Sequence, residues 1–167
     1  DPDNRRPVDF QKRQAMLHAL QATPAPPMAE LLSRWQDGAV KQAVIARCLH
    51  LRQRMPDVYA AGSYEPLLVQ GRLAGHVLAF ARCLAGQSML VVVSRLGCRA
   101  LRGRDAFLER PLVPPDLWQD TRIVIPRACR RSQWQDALSG SILNGAGNSL
   151  QVADVLTCLP VAVLVAP

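Results

Sequence analysis

The hydrophobic pattern changes its period near residue 55, and no other feature of the sequence constrains the fold as strongly. Up to about residue 54, apolar residues such as Val40, Val44 and Leu49 recur at helical spacing. Beyond it, short apolar runs are separated by glycine and proline, which is typical of short strands and turns. The sequence therefore predicts an α+β fold in which helices precede an antiparallel sheet.

Three helices are predicted before this change. Residues 8–22 contain no glycine or proline, and the closely spaced prolines of residues 23–27 end the helix because proline cannot continue one. Residues 28–35 predict a short helix, which the Asp-Gly pair at 37–38 interrupts. The third helix is amphipathic and runs to about Arg54, with the aspartate of that pair as its predicted cap.

Residues 55–64, which include a proline and a glycine, predict a loop, and the strands follow it. Strands are predicted at residues 65–70, 76–83, 89–94, 122–125, 137–143 and 161–166. Residues 89–93 are continuously apolar, as in a central strand whose two faces are both buried. Short strands at this spacing are typical of an antiparallel sandwich or barrel.

The charge distribution argues against a nucleic-acid partner. The net charge is +7, only Lys12 and Lys41 are lysines, and the arginines are spread from Arg5 to Arg131. A nucleic-acid site needs a clustered basic patch, so a solvated basic surface is favoured. No run approaches the roughly 18 apolar residues that span a bilayer, so no membrane partner is expected. The first ten residues lack both an initiator Met and the apolar stretch of a signal peptide, so we expect a chain entered part-way.

The cysteines and histidines predict neither a disulfide framework nor a metal site. The five cysteines are odd in number and form no CxxC pair, and the three histidines are far apart in sequence. Most of the cysteines have apolar neighbours, so we interpret them as buried thiols of a protein in the reducing cytoplasm. The glycines form no phosphate-binding motif. No cofactor and no metal are expected.

Several segments resemble, in the same order, segments of maltooligosyl trehalose synthases, enzymes of glycoside hydrolase family 13 in the α-amylase superfamily. They are DPDNRRPVDF (1–10), DGAVKQAVIARCLHLRQRMPDVYAAGSYEPL (37–67), HVLAFAR (76–82), LWQDTRIVIP (117–126) and LPVAVL (159–164). The first and the last are more specific than the helix-to-sheet junction, which many α-amylase relatives share. For residues 96–116 no resembling family segment could be placed, and they are interpreted as a variable loop.

This resemblance implies a domain organisation. Residues 1–54 would be the last βα loop and the closing helices of a catalytic (β/α)8 barrel. Residues 55–61 would be a junction, and residues 62–167 a C-terminal β-sandwich domain. The remainder of the barrel would then be a partner from the same protein, and the role of this chain would be structural.

The resemblance also implies an activity for the parent protein. It would be an isomerase that converts the reducing-end α-1,4 bond of a maltooligosaccharide into an α,α-1,1 bond, giving maltooligosyl trehalose. Such chemistry uses two carboxyl groups close together across the scissile bond. In this family they lie on earlier barrel strands, so no catalytic residue is expected in this chain, and the chain alone is expected to be inactive.

Candidate substrate-binding residues come from the first motif. A loop after the last strand of a barrel faces the active site, and the carboxylate, amide and guanidinium groups of Asp3, Asn4, Arg5 and Arg6 suit sugar hydroxyls. The alternative is that these groups shape the loop and form structural ion pairs. Lys41 is also a candidate, because the family has a lysine there, although a solvated helix face is an equal alternative.

The aromatic residues permit two interpretations. A tryptophan such as Trp35, Trp118 or Trp134 could stack on a sugar ring, although burial in a core is the commoner fate of a single tryptophan. Core packing is therefore predicted for the tryptophans. It is also predicted for the aromatic residues at the helix–sheet junction, namely Tyr59, Tyr64 and Phe80.

Other functions remain open from the sequence alone. The same architecture could belong to another hydrolase or transglycosylase of the α-amylase superfamily, which the preceding barrel sequence would decide. The β-sandwich could instead be a stand-alone carbohydrate-binding module, with measurable affinity for maltooligosaccharides. Nucleic-acid binding would show as steeply salt-dependent retention on DNA.

Overall fold

A computed structural model describes residues 7–22, 24–101, 111–145 and 147–166, without the side chain of Cys98. The helices are α1 (Phe10–Leu20), α2 (Met28–Ser33), α3 (Ala39–Arg54), α4 (Pro56–Ala61), α5 (Gly97–Ala100), α6 (Pro115–Trp118) and α7 (Val152–Val155). The strands are β1 (Glu65–Pro66), β2 (Val69–Gln70), β3 (Val77–Leu84), β4 (Gln87–Ser94), β5 (Arg122–Val124), β6 (Gln133–Asp136), β7 (Ile142–Asn144), β8 (Ser149–Gln151) and β9 (Val161–Val165). Short 3-10 turns occupy Trp35–Asp37, Ala74–His76 and Arg127–Cys129.

The first three helices form where the sequence predicts them, and side-chain carboxylates accept hydrogen bonds at the starts of α1 and α3. The carboxylate of Asp9 accepts a hydrogen bond from the backbone N–H of Lys12 at 2.9 Å and thereby caps α1. The carboxylate of Asp37 accepts one from the backbone N–H of Ala39 at 2.6 Å, so the predicted cap of α3 is confirmed. Gly38 makes this turn with a φ of +83°, which favours glycine.

The loop predicted at residues 55–64 is wrong in its first half, where the chain forms α4. Pro56 occupies the first turn of this helix, where the missing N–H costs nothing, so the proline starts a helix here. Gly62 ends α4, and a Cβ at this position would lie 2.4 Å from the carbonyl oxygen of Val58. A proline at this position is compatible with a loop or with the start of a helix. The helix buries Val58 in the core, and this burial favours the helix over the loop.

Among the described strands, two antiparallel sheets form. The six-stranded sheet has the order β1-β3-β4-β9-β6-β7, and the three-stranded sheet has the order β2-β5-β8. The single strand predicted at residues 65–70 is wrong, because it divides between the two sheets. Leu67 donates its backbone N–H to Ala79 of the larger sheet, whereas the carbonyl of Leu68 accepts from Val124 of the smaller one. The prediction of helices followed by antiparallel sheet is confirmed.

The strand predicted at residues 137–143 is also wrong in its first half. The carboxylate of Asp136 accepts hydrogen bonds from the backbone N–H groups of Leu138 and Ser139 at 3.1 and 3.0 Å. A carboxylate that binds the backbone two and three residues ahead folds the chain into a turn, and Gly140 completes it with a φ of +82°. The strands β6 and β7 therefore lie on either side of a turn that the apolar pattern does not reveal.

The six-stranded sheet is packed on both faces. On one face, its residues share a core with the three-stranded sheet and with the buried Trp118 and Trp134. On the other face, its residues share a second core with α2, α3 and α4. Strand β4 contributes Leu90 and Val92 to the first core and Met89 to the second, so the prediction of a central strand buried on both faces is confirmed.

The aromatic residues divide between the core and the surface. Trp118 and Trp134 are fully buried, as predicted. Trp35 is 38% exposed and Tyr64 is 63% exposed, so the prediction of core packing is wrong for these two residues. The ring of Tyr64 lies against that of Phe80 with centroids 4.8 Å apart, which gives it a partner without covering it. In the part of the chain described, no helix combines the length and the apolar character needed to cross a membrane.

Candidate functional site

The predicted sugar-binding loop lies outside the described residues. Asp3, Asn4, Arg5 and Arg6 therefore have no described position, and their contact with sugar stays a prediction. Three residues after this segment the chain reaches Asp9, the cap of α1. Of the predicted site and its surroundings, the structure therefore describes Lys41 and the helix α1, which follows the loop.

Lys41 is exposed in the first turn of α3, and hydrogen bonds hold this turn against α1. The side-chain amide of Gln42, the next residue, donates to the carbonyl of Arg13 at 2.8 Å. The guanidinium of Arg13 in turn donates to the carbonyl of Asp37, in the turn before α3, at 3.3 Å. These contacts join the start of α3 to the first half of α1, which is the helix that follows the predicted loop.

An exposed apolar strip continues from Lys41 along α3. Ile45 is 49% exposed and Leu49 is 54% exposed, and they follow Lys41 by four and eight residues, so the three side chains share one face of the helix. The opposite face points into the core through Ala43 and Leu51. We call the exposed side, Lys41 with Ile45 and Leu49, the α3 face.

The α3 face leads into a groove between α3 and α4. This groove has a volume of about 510 Å³, and Leu49 is at its edge. Its other lining residues are Arg52, Gln53, Pro56, Tyr59 and Ala60. Helix α1 adds to the uncovered apolar surface, because none of its residues is buried and Phe10 at its start is 77% exposed. Exposed apolar surface that continues into a groove is typical of a protein interaction site.

The groups around this groove do not supply a nucleophile at neutral pH. Burial raises the pKa of Tyr59 above its ordinary value, and the nearby Cys48 raises it further, although Arg52 and Arg82 act in the opposite direction. Burial also raises the pKa of the Cys48 thiol, and the Asp136 carboxylate adds to this effect. The Tyr59 hydroxyl and the Cys48 thiol therefore stay protonated. The α3 face and its groove thus offer apolar surface for binding, together with the positive charges of Lys41 and Arg52.

Several of the described carboxylates have structural partners. Glu30 and Asp37 lie 3.9 and 3.6 Å from the guanidinium of Arg34, and Asp9 caps α1. Asp120 accepts from the backbone N–H of Arg72 at 3.0 Å. Within the described ranges, no three side chains of the His, Cys, Asp and Glu types are grouped so that they could hold a metal ion.

A second groove, which the sequence does not indicate, lies between α3 and the strands β6 and β9 of the six-stranded sheet. Its volume is about 630 Å³, and Arg47, His50 and Arg54 line it from the helix, with Gln135 and Asp136 on the other side. The guanidinium of Arg47 donates a hydrogen bond to the carbonyl of Leu138. The carboxylate of Asp136 accepts one from the backbone N–H of the same residue, Leu138. The three basic residues follow helical spacing in the sequence, but the strand opposite them could not be placed from it.

Comparison with known proteins identifies two that are similar to this chain. No protein-family model matches the sequence, and no solved structure is similar to it at a significant level. Two proteins from two strains of Mycobacterium tuberculosis, both named "Putative maltooligosyl trehalose synthase", are each 31% identical to the chain over 165 residues. The similarity covers 99% of this chain but only 16% of each relative. The resemblance to maltooligosyl trehalose synthases is thus confirmed along 99% of the chain, which spans 16% of the relatives' length.

Proposed function

We propose that this chain is the C-terminal part of an enzyme of the maltooligosyl trehalose synthase type, and that it supports the catalytic barrel without performing the chemistry. Similarity to proteins of that name along 99% of the chain supports this proposal. In this proposal, the segment before α1 and the helices α1 to α3 belong to the end of a (β/α)8 barrel. The two sheets then form the C-terminal domain, as a β-sandwich.

The proposed reaction of the whole enzyme is the conversion of the reducing-end α-1,4 bond of a maltooligosaccharide into an α,α-1,1 bond. A carboxylate nucleophile and a carboxylic acid would perform it, about 5 Å apart as in retaining enzymes. We place both on the preceding part of the enzyme, because the family resemblance implies that they lie on earlier barrel strands, and several described carboxylates of this chain are engaged in caps, turns and ion pairs. The chain alone would then be inactive.

The α3 face is the observation that carries the structural role. Two exposed aliphatic side chains that adjoin a groove form a contiguous apolar surface, and covering such a surface is favourable by about 25 cal/mol per Å². We propose that the preceding part of the same enzyme covers Ile45, Leu49 and the groove. Lys41, at the end of this face, would then lie close to the barrel.

The segment Asp3, Asn4, Arg5 and Arg6 is the proposed sugar-contact loop. Guanidinium and carboxylate groups form paired hydrogen bonds with adjacent hydroxyls, so the loop would hold the sugar for carboxylates supplied by the barrel. Lys41 would add a further donor. These residues would bind the substrate and would not cleave it.

The deciding experiment expresses this chain together with the preceding part of its own longer protein. The loss of reducing ends from maltoheptaose measures the proposed reaction. We expect activity from the two parts together and none from this chain alone. Ile45→Asp and Leu49→Asp should prevent the parts from co-purifying, whereas Ile142→Asp, which changes an equally exposed residue on β7, should not. Activity of this chain alone, or co-purification of every variant, would overturn the proposal.

A stand-alone carbohydrate-binding module is the alternative that one observation favours. The ring of Tyr64 is 63% exposed and rests on Phe80, so one aromatic face is available to a sugar ring. Calorimetric titration of the chain with maltoheptaose at millimolar concentration distinguishes the two functions. Binding that Tyr64→Ala abolishes supports the module, and a flat titration removes it.

A further inference from the structure

The thiols of Cys83 and Cys129 meet where the two sheets pack together. Their sulfur atoms lie 2.7 Å apart, although the residues are 46 positions apart in sequence. Cys83 belongs to β3 of the six-stranded sheet. Cys129 ends the 3-10 turn that follows β5, a strand of the three-stranded sheet. Both cysteines are free thiols in this structure.

We propose that Cys83 and Cys129 form a reversible disulfide that joins the two sheets when the protein meets an oxidant of the disulfide or peroxide class. A disulfide bond is about 2.05 Å long, so the sulfur atoms need to approach by less than an ångström. The backbones on both sides are already fixed, by the pairing of β3 with β4 and by the hydrogen bond from the backbone N–H of Cys129 to Pro126.

The two thiols differ in accessibility, and this difference sets the order of reaction. Cys83 is partly exposed, whereas Cys129 is 0% exposed. Burial, together with the neighbouring Cys83, raises the pKa of Cys129 to about 12. A buried thiol with so little thiolate does not attack an external oxidant. Cys83 is therefore the thiol that the oxidant meets first, and Cys129 is the resolving thiol.

The neighbourhood of the pair contains a cation. The guanidinium of Arg131 donates to the hydroxyl of Ser88 at 2.7 Å, and that hydroxyl lies 3.5 Å from the sulfur of Cys83. Arg131 also acts to lower the pKa of Cys129. Positive charge beside a thiol pair stabilises the thiolate that each exchange step needs. The pair thus combines one accessible and one buried thiol with a cation close by.

The exchange balances with glutathione disulfide as the oxidant. The Cys83 sulfur, having given up its proton, attacks one sulfur of glutathione disulfide and releases one glutathione thiolate, which takes up that proton. The Cys129 sulfur then attacks the Cys83 sulfur of the mixed disulfide and displaces the second glutathione, which takes the Cys129 proton. The two cysteines lose two electrons and two protons in total, and glutathione disulfide is reduced to two glutathione molecules.

The consequence is a covalent link between the sheets. Closing a loop of this length in the unfolded chain raises stability, and for a domain of this size we expect the melting temperature to increase by roughly 5–10 °C. A reducing agent should reverse the change. This proposal is independent of the enzyme activity, because the pair lies in the core between the sheets, away from the α3 face.

The test treats the full 167-residue chain with glutathione disulfide, alkylates the remaining thiols after unfolding, and maps the peptides by mass spectrometry. We expect one cross-linked pair, Cys83 with Cys129, and a higher melting temperature. The double variant Cys48→Ser/Cys158→Ser should keep both results. Cys129→Ser should stop at a mixed disulfide with glutathione on Cys83, and Cys83→Ser should leave Cys129 unmodified while the protein is folded.

Two results would overturn the proposal. In the first, the wild-type chain contains a cross-link that involves any of the other cysteines in place of this pair. In the second, Cys83 and Cys129 are both fully alkylated after long treatment with the oxidant. The double variant keeps the test decisive if either single variant fails to fold, because it leaves the proposed pair intact.

Discussion

The carboxylate of Asp136, at the end of β6, accepts a hydrogen bond from the backbone N–H of Val163 on β9 at 3.0 Å. It also accepts from the N–H groups of Leu138 and Ser139, and it is only 4% exposed. Asp136→Ala leaves these donors buried and unpaired, so we expect a loss of roughly 3 kcal/mol in the free energy of unfolding. Asp154→Ala, at an exposed site, should change it by less than about 0.5 kcal/mol. If urea denaturation shows the same loss of unfolding free energy for both variants, Asp136 does not have this structural role.

Two leucines of α3 should respond differently to the same substitution. Leu51 is 3% exposed and packs in the core, whereas Leu49 is 54% exposed on the α3 face. Leu51→Ala should cost about 3 kcal/mol, since it removes buried carbon and leaves a cavity. Leu49→Ala should cost less than about 0.5 kcal/mol in the isolated chain. Chemical denaturation of both variants measures the difference, and a large loss from Leu49→Ala would mean that this face is already covered.

Gly71 and Gly86 allow the cost of adding a Cβ to be compared at a crowded and at an open position. Both have a positive φ, +106° and +81° respectively. A Cβ at Gly71 would lie 2.6 Å from the Cα of Thr121, whereas one at Gly86 would meet open space. Gly86→Ala should cost about 1 kcal/mol from the strained φ alone. Gly71→Ala should cost roughly 3 kcal/mol or more, because the backbone must also move. Thermal unfolding of the two variants checks this order.

The raised pKa of Cys129 predicts a pH-dependent stability in the alkaline range. Below pH 9 the thiol is protonated in the folded and the unfolded chain, because its ordinary pKa is 9.0. Between pH 9 and about 12 the unfolded chain loses this proton while the folded chain keeps it. The free energy of unfolding should therefore fall with rising pH, by at most ~1.4 kcal/mol per pH unit for one group.

Replacement of the thiol tests this alkaline effect. Under reducing conditions, Cys129→Ala should make the decline above pH 9 shallower, and the partly exposed Cys158 provides the control, as Cys158→Ala. Denaturant titrations at a series of pH values measure the slope. An unchanged slope in Cys129→Ala would show that other groups cause the decline.

Lys41 and Lys12 allow a test of the proposed substrate contact in the longer enzyme. Both are exposed on helices at the N-terminal end of the chain, but only Lys41 lies on the α3 face. Lys41→Ala should lower kcat/KM for maltoheptaose at least about tenfold, which corresponds to the loss of one charged hydrogen bond. Lys12→Ala should leave it unchanged. Equal values for the two variants would assign Lys41 to a solvated helix face.

Much of the fold could be predicted from the sequence because its signals are local. The cap at Asp37 and the apolar run of β4 act within a few residues, and both predictions are confirmed. The errors occur where tertiary contacts decide. Residues 65–70 read as one strand, yet Leu67 and Leu68 bond to different sheets. The turn after Asp136 depends on a side chain that also reaches Val163 on a distant strand.

The candidate sites were predictable to different degrees. The helix α3 could be placed because apolar residues recur at helical spacing, but Ile45 and Leu49 of its predicted apolar face are exposed. The exposure of that face depends on what covers it, which no local pattern states. Cys83 and Cys129 are 46 positions apart and belong to no CxxC pair, so their contact could not be predicted from the sequence. The second groove likewise depends on how α3 packs against β6.

The position of β9 has a consequence for the timing of folding during synthesis. This strand, Val161–Val165, lies between β4 and β6 in the middle of the larger sheet. Until it has emerged from the ribosome, β4 and β6 each have one unpaired edge, and Trp134 has no completed sheet to cover it. Between the synthesis of β6 and that of β9, the nascent chain therefore exposes two open strand edges, and this is the period when chaperones would protect it from aggregation.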